Sequence, residues 1–512
     1  MNRLVIILAS LLFCSNVSAA TSSSKFNTPK SRFPTGMESA PVPDDSEPSR
    51  RAAVQRLKSA QKREVCPGTD KSIPHLLGTP CGTREFDAPP ILETPKLQWV
   101  NKPGWWGAED FGIFDNKIYT YGCQRAGYGL AAFDLKNGQR SWLNRELCDK
   151  MVRAPASRPF RITNSSMLIF NGRNTLLIDT KNGKLLKQDT TVVDWHTLEQ
   201  FDSKFVSTGK KKGENSFLVA RSPDLKQTIW KNNSFLSQCE KDCPQPFFSR
   251  FAYSDGILYV SAPPKDSADA PHRQLHAVDI KTGKTLWVHT DQPDVREFYG
   301  KPGVWKKSDD SSPMVAGNKV IIRVEGVLGK GAPSYAYRAL DAKTGRELWT
   351  TAAIPGKFSE EWLPRDRFAQ LGQSVELHLV SGNLLITTVA GGEPHRELWA
   401  YNLNDGSPAW RRDIVEKKGF YRLTLAASAG GVLYLASQSR VTALEAATGT
   451  KLWDDYIQPG YDEENWMQIM PSSVSDTPSA QKYGEFTWDH RWVIGPDGAF
   501  YGTFAPGVFK IR

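Results

Sequence analysis

The sequence predicts an all-β fold in which eight four-stranded antiparallel units close into a ring. Three observations carry this expectation. A cassette of turn and tryptophan recurs along the chain, a short apolar run precedes each cassette, and the two ends hold complementary halves of one more unit. Self-similarity at a period of roughly 40–60 residues is the signature of a repeat architecture.

The cassette is clearest at Phe133-Asp134-Leu135-Lys136-Asn137-Gly138 with Trp142, at Val278–Gly283 with Trp287, and at Leu340–Gly345 with Trp349. Weaker copies run from Asn402 to Gly406 with Trp410 and from Glu445 to Gly449 with Trp453. In each, Trp follows Gly by four residues, and Asp, Asn or Glu precedes Gly by four. Gly suits a positive-φ position in a short hairpin loop, as in a type I turn followed by a G1 bulge. The acidic or amide side chain can accept hydrogen bonds from the turn amides. Upstream lie the apolar runs Lys117-Ile118-Tyr119, Gly256–Val260, Lys319–Ile322, Leu384–Ile386 and Val432–Leu435. Several follow small turns, and none has the period of an amphipathic helix, so each unit reads as about four short strands.

Two further units are degenerate. Ile178-Asp179-Thr180-Lys181-Asn182-Gly183 keeps the turn, but Lys187 stands where Trp belongs. Trp230 belongs to another copy, with Ser222 at the Asp position and Lys226 at the Gly position. The eighth unit is divided. Trp492–Ile511 supplies inner strands without an outer one, and Pro95-Lys96-Leu97-Gln98-Trp99 is an outer strand without inner ones. Pairing the two closes the ring and removes exposed sheet edges.

These residues resemble the pyrroloquinoline-quinone (PQQ) repeat, Ala-x-Asp-x-x-Thr-Gly-Lys-x-x-Trp, over residues 95–512. The resemblance implies an eight-bladed β-propeller of four-stranded antiparallel blades, of the quinoprotein alcohol dehydrogenase-like class, closed by the N-terminal outer strand pairing with the C-terminal strands. It also implies that Trp142, Trp287, Trp349, Trp410 and Trp453 pack between neighbouring blades. The superfamily contains both quinone-dependent dehydrogenases and scaffolds such as an outer-membrane assembly lipoprotein, and one fold hosts many functions.

Ahead of the repeats, Arg3 and the apolar run Leu4–Phe13, followed by Val17-Ser18-Ala19, read as a secretory signal peptide over residues 1–19, cut after Ala19. The expected location is periplasmic or secreted. The apolar run is too short to span a bilayer, and no later stretch is apolar enough to do so. Residues 20–62, rich in Ser, Pro and charge, are expected to form a flexible leader, with a short basic helix over Ala52 to Lys62. Residues 63–94 are expected to be a disulfide-containing extension on the propeller. Removing Cys14 with the signal leaves Cys66, Cys81, Cys123, Cys148, Cys239 and Cys243. An even count in an exported chain points to disulfides. Nearness in sequence favours Cys66–Cys81, Cys123–Cys148 and Cys239–Cys243 among the 15 possible pairings. No Cys-x-x-Cys pair is present, and no metal site is expected.

The formal charge of +10 is modest for this length. It suits an anionic partner, such as an envelope protein or acidic glycan, or simply solubility. Nucleic acid is not an expected partner in this compartment. Ligands of propellers usually sit at one mouth of the central channel, on the loops entering each innermost strand. Those loops carry Trp106, Glu109, Asp110, His196, Arg250, Asp309, Arg367, Arg422, Trp466, Trp488 and His490. Such side chains suit stacking on a ring and pairing with a carboxylate.

Two functions follow from different classes. The first is an exported non-catalytic propeller that binds an envelope protein, glycan or other anionic ligand, with no cofactor. The second is a PQQ- and calcium-dependent dehydrogenase for a small alcohol or sugar. That chemistry needs an ionised carboxylate at the substrate hydroxyl, and Asp309, Asp310 and Asp489 qualify by residue type. The resemblance also implies an adjacent Cys-Cys pair over the quinone, and no two cysteines of this chain adjoin. The balance therefore leans toward the non-catalytic reading.

Overall fold

The cassettes fold as the second half of seven of the eight four-stranded sheets. A computed structural model describes residues 37–60, 65, 81–101, 110–122, 129–147, 159–163, 165–170, 175–189, 199–201, 203–209, 217–223, 226–233, 251–262, 274–290, 312–325, 334–352, 354–355, 378–392, 395–415, 423–437, 440–456, 492–504 and 507–512. Within residues 33–512, which group as one compact unit, the sheets form an eight-bladed β-propeller. Blade 4 is typical, with strands Ala252–Ser254, Ile257–Ala262, Gln274–Asp279 and Thr285–Thr290 in antiparallel order. Blades 1, 2 and 3 begin at Asp110, Pro159 and Glu199, and blades 5, 6 and 7 at Met314, His378 and Leu423. The first strands of successive blades approach one another around the axis, so they are innermost. Blade 8 is shared between the ends as expected. Leu97–Asn101 pairs with Gly507–Ile511, outside Phe500–Phe504 and Trp492–Ile494.

The cassette's chemistry is spent on this architecture. In blade 4, Asp279 accepts hydrogen bonds from the amides of Lys281 (2.9 Å) and Thr282 (2.7 Å). The Gly283 amide donates to the Asp279 carbonyl at 2.8 Å, and the ladder shifts register as a bulge beside the turn. Gly138, Gly183, Gly283, Gly345, Gly406 and Gly449 all have φ between +70° and +74°. This left-handed conformation disfavours any side chain.

The same glycines receive the indole of the preceding blade. A Cβ at each of the six would lie under 3.0 Å from Trp99, Trp142, Trp230, Trp287, Trp349 or Trp410 respectively. Each indole Nε1 then donates to the carbonyl just after the turn's acidic or amide residue. Trp142 donates to Thr180 (2.9 Å), Trp230 to Ile280 (2.8 Å), Trp349 to Leu403 (2.9 Å) and Trp410 to Ala446 (3.0 Å). Trp99 does the same to Leu135 at 3.2 Å, carrying the lock from blade 8 to blade 1. Glycine is thus required twice, for its φ and for the indole lying on its α-carbon. Trp453 is the exception. Blade 8 has no such turn, and the Trp453 indole donates to Ile91 of the N-terminal extension at 2.9 Å.

Seven apolar clusters of buried side chains fill junctions between blades. They join blades 8 and 1, 1 and 2, and each pair from 3 and 4 to 7 and 8. Among the described residues no such cluster joins blades 2 and 3. By strand alternation Leu168, Phe205 and Val219 turn toward that junction, and all three are buried.

The described part of the leader, residues 37–60, is packed on the propeller rather than flexible. Met37 is fully buried among Trp349, Trp399 and Tyr401. The Arg411 amide donates to the Pro41 carbonyl at 3.0 Å, so the segment runs along the outer edge of blade 6. Asp45 accepts from the Lys451 amide at 2.8 Å and pairs with the Arg412 guanidinium. The basic helix α1 spans Glu47–Ser59, starting five residues before the expected Ala52. Ser46 caps it, and Pro48 lies in its first turn, where a missing N–H costs nothing. Ala53 is buried with Leu452 and Trp453, flanked by Val54 and Leu57. Arg56 meets the Glu445 carboxylate with two hydrogen bonds of 2.8 Å and 2.6 Å.

Candidate functional site

The two ends of the propeller differ. At one end lie the tight turns, such as Asp255-Gly256 and the cassette hairpins. At the other each innermost strand begins, and the expected mouth residues precede or open those strands in sequence. Of these, Asp110 opens the first strand of blade 1, in register with Tyr121. Trp106, Glu109, His196, Arg250, Asp309, Arg367, Arg422, Trp466, Trp488 and His490 lie outside the described residues, as do Asp310 and Asp489.

The described side of the channel is its tight-turn end, where the chain caps itself. Residues 81–86 cross the innermost strands of three blades in turn. The amides of Val315 (blade 5), Val380 (blade 6) and Ser428 (blade 7) donate to the carbonyls of Cys81 (2.8 Å), Thr83 (3.0 Å) and Arg84 (3.0 Å). Glu85–Phe86 then pairs in parallel with Ser428 and Ala429. Gly82 has φ +71°, and a Cβ there would lie 2.7 Å from the Pro313 carbonyl oxygen, so this crossing admits only glycine without a shift. Glu85 is buried and accepts from the Gly382 amide at 3.2 Å. Beyond the cap, Pro89 and Pro90 lie against Gly498 and Gly430, and the Ile91 amide donates to the Tyr434 hydroxyl at 2.7 Å.

Cys81 is buried and disulfide-bonded. Its partner and Cys66, Cys123, Cys148, Cys239 and Cys243 fall outside the described residues.

Among the innermost strands, His378 of blade 6 is the buried titratable side chain nearest this cap. Burial holds its pKa well below the ordinary imidazole value, and the charges of Arg84 and Arg323 push it the same way. It is therefore neutral at physiological pH, edge-on to Tyr337 with ring centroids 5.9 Å apart. The Tyr337 hydroxyl is 2.8 Å from that of Thr387, and the Arg323 guanidinium lies over the Tyr335 ring at 4.2 Å. This arrangement is a rigid polar patch inside the junction of blades 5 and 6. Among the described residues no group of three or more His, Cys, Asp or Glu side chains could hold a metal ion. Of the carboxylates expected at the mouth, only Asp110 falls among the described residues.

Sequence reasoning gave a basic helix and an extension on the propeller, but not the docking of that helix or the crossing of three blades by residues 81–86. One signal was available for the helix: Glu445 replaces the cassette Asp on blade 7 alone, and the longer side chain reaches Arg56.

The fold and the cassette contacts can be set beside known proteins. The family model described as outer membrane protein assembly factor BamB matches residues 218–394 and 336–469. The chain is a PQQ-repeat β-propeller. Quinohemoprotein alcohol dehydrogenase from Comamonas testosteroni is similar in structure at 12% identity and a TM-score of 0.51, over 90% of this chain and 83% of that one. A europium-containing methanol dehydrogenase gives 13% identity and 0.46, over 85% and 96%. BamB from Moraxella catarrhalis gives 13% and 0.36, over 66% and 82%. No curated protein sequence matches the chain. At these identities the likeness between structures concerns the propeller fold alone.

Proposed function

We propose that this propeller is an exported, non-catalytic binding module that holds an envelope protein at its long-loop mouth. The observation that carries the reading is the fate of the cassette. Its acidic residue binds its own turn, its glycine seats an indole, and its tryptophan bonds the next blade. No repeated residue is left over for chemistry. The missing Cys-Cys pair agrees, as does the match to a family model described as an outer membrane protein assembly factor. The signal-like N-terminus supports export, and among the described residues no helix is long and apolar enough to cross a membrane. With residues 81–86 lying across blades 5, 6 and 7 at the tight-turn end, the other end is the one left for a partner. Of the residues expected there from the sequence, Arg250, Arg367 and Arg422 suit acidic side chains, and Trp106, Trp466 and Trp488 suit apolar anchors.

A second reading, a quinone-dependent dehydrogenase, rests on the same tryptophans together with Glu109, Asp309 and Asp489. One experiment separates the two. Purified protein is incubated with PQQ, calcium and an artificial electron acceptor over a panel of alcohols and sugars. No turnover above background is expected, and quinone-dependent turnover would overturn the binding reading. In parallel, a photocrosslinking residue at Trp466 in the producing cell is expected to capture an envelope protein. Arg367→Glu or Arg422→Glu should abolish that capture without lowering the melting temperature.

A further inference from the structure

The eight junctions of this ring are not equivalent, and one of them departs on two separate counts. Seven carry a tryptophan from the outer strand of one blade, and six of these seat it on the left-handed glycine of the next. Between blades 2 and 3 the tryptophan position is Lys187, and the facing glycine position is Lys226. Both lysines are exposed. The two replacements go together: where no indole must be seated, one of the two reasons for glycine is gone.

The turn has changed conformation as well. Ser222 keeps the first hydrogen bond of the cassette, its amide donating to the Gln227 carbonyl at 3.0 Å, as Asp279 does to Lys284 at 2.9 Å. Lys226 is not among the residues with positive φ, whereas the glycine at this position in blades 1, 2 and 4 to 7 is left-handed.

We propose that the junction between blades 2 and 3 is the opening joint of the ring, the place where neighbouring blades first part. A closed propeller resists opening because each junction loses its indole burial and its indole hydrogen bond together. This junction has neither to lose, so the free energy of parting is lowest there. The device is conformational: the ring admits strain or a neighbouring chain at one fixed point while the other seven junctions hold. It acts at a different place from the mouth, and it stands whether or not a partner binds there.

Native-state hydrogen exchange on the full chain tests it. The outer strand Leu185–Asp189 is compared with its counterpart Thr285–Thr290, and Glu199–Phe201 with Met314–Ala316. The blade 2 and 3 strands are expected to exchange about tenfold faster. Equal or slower exchange would overturn the proposal. Two variants probe the cause. Building the lock, with Lys187→Trp, Ser222→Asp and Lys226→Gly, should slow exchange of Leu185–Asp189 to the level of Thr285–Thr290. Removing it elsewhere, with Trp287→Lys and Gly345→Lys, should bring Thr285–Thr290 to the fast level. If the first triple change does not fold, the second pair still decides. Unchanged exchange at Thr285–Thr290 in that variant would show that the lock does not set the joint's strength.

Discussion

Replacing Gly406 by alanine should destabilise the propeller through two separable effects, and a double-mutant cycle with Trp349 should part them. Gly406 has φ +73°, and a Cβ there would meet Trp349 Cε3 at 2.7 Å and Cδ2 at 3.0 Å. Holding alanine in the left-handed region costs about 1–2 kcal/mol. Displacing a buried indole that is hydrogen-bonded to Leu403 adds about 1–3 kcal/mol of overpacking. Gly406→Ala alone should therefore cost about 2–5 kcal/mol. In a Trp349→Ala background the ring is gone and only the backbone cost remains, about 1–2 kcal/mol. The coupling between the two sites is thus expected at about 1–3 kcal/mol, measured by equilibrium urea denaturation with the m-value checked for constancy. If Gly406→Ala costs the same in both backgrounds, to within about 0.5 kcal/mol, the indole does not impose glycine and the account of the lock fails.

Four further outcomes follow from the structure. Burial raises the pKa of Glu445, but hydrogen bonds from Arg56 and Thr448 outweigh it and hold the carboxyl below its ordinary value. Its contribution is therefore present above the unfolded carboxylate range and lost as pH falls through the folded value. Glu445→Gln should expose Arg50, Arg51 and Lys58 to trypsin at pH 7, and its urea midpoint should converge with the parent's as pH falls through the lowered folded value of the carboxyl. Burial lowers His276 to about 4, so the unfolded chain takes up a proton first as pH falls from about 6.5. That should cost on the order of 3 kcal/mol by pH 4, and His276→Leu should flatten this part of the stability profile. Deleting residues 492–512 removes three strands of blade 8 and leaves Leu97–Asn101 without its ladder, so the truncated chain should melt far below the parent; an equal melting temperature would refute ring closure. Peptide mapping without reductant should join Cys81 to Cys66, and losing that link should cost about 2–4 kcal/mol in urea denaturation.

The ring was legible in the sequence because its determinants lie at fixed spacing within one strand-turn-strand unit. Gly283 and Trp287 announce a hairpin before any tertiary contact is known, and their recurrence supplies the rest. The divided eighth blade was legible for the same reason, since Trp99 is a cassette tryptophan without its cassette. The cap and the docked helix were not legible. Residues 81–86 and 37–60 have no repeated counterpart; the first are held largely by backbone amides of Val315, Val380 and Ser428, and the second by single pairs such as Arg56–Glu445 and Asp45–Arg412, which do not recur along the chain. The basic helix was visible in composition, but its start was fixed by Ser46 and Pro48 rather than by the later alanines. At the mouth the residues were chosen by position relative to the strands, and loops there share no spacing that would single out one side chain.

The split eighth blade also bears on time. Leu97–Asn101 precedes the first cassette, and its partner Gly507–Ile511 follows the seventh, so the early strand has no ladder until seven complete blades have been made. Blade 8 therefore closes after the others, and a chain that stops before residue 507 keeps an open sheet edge, the feature through which unfinished proteins aggregate.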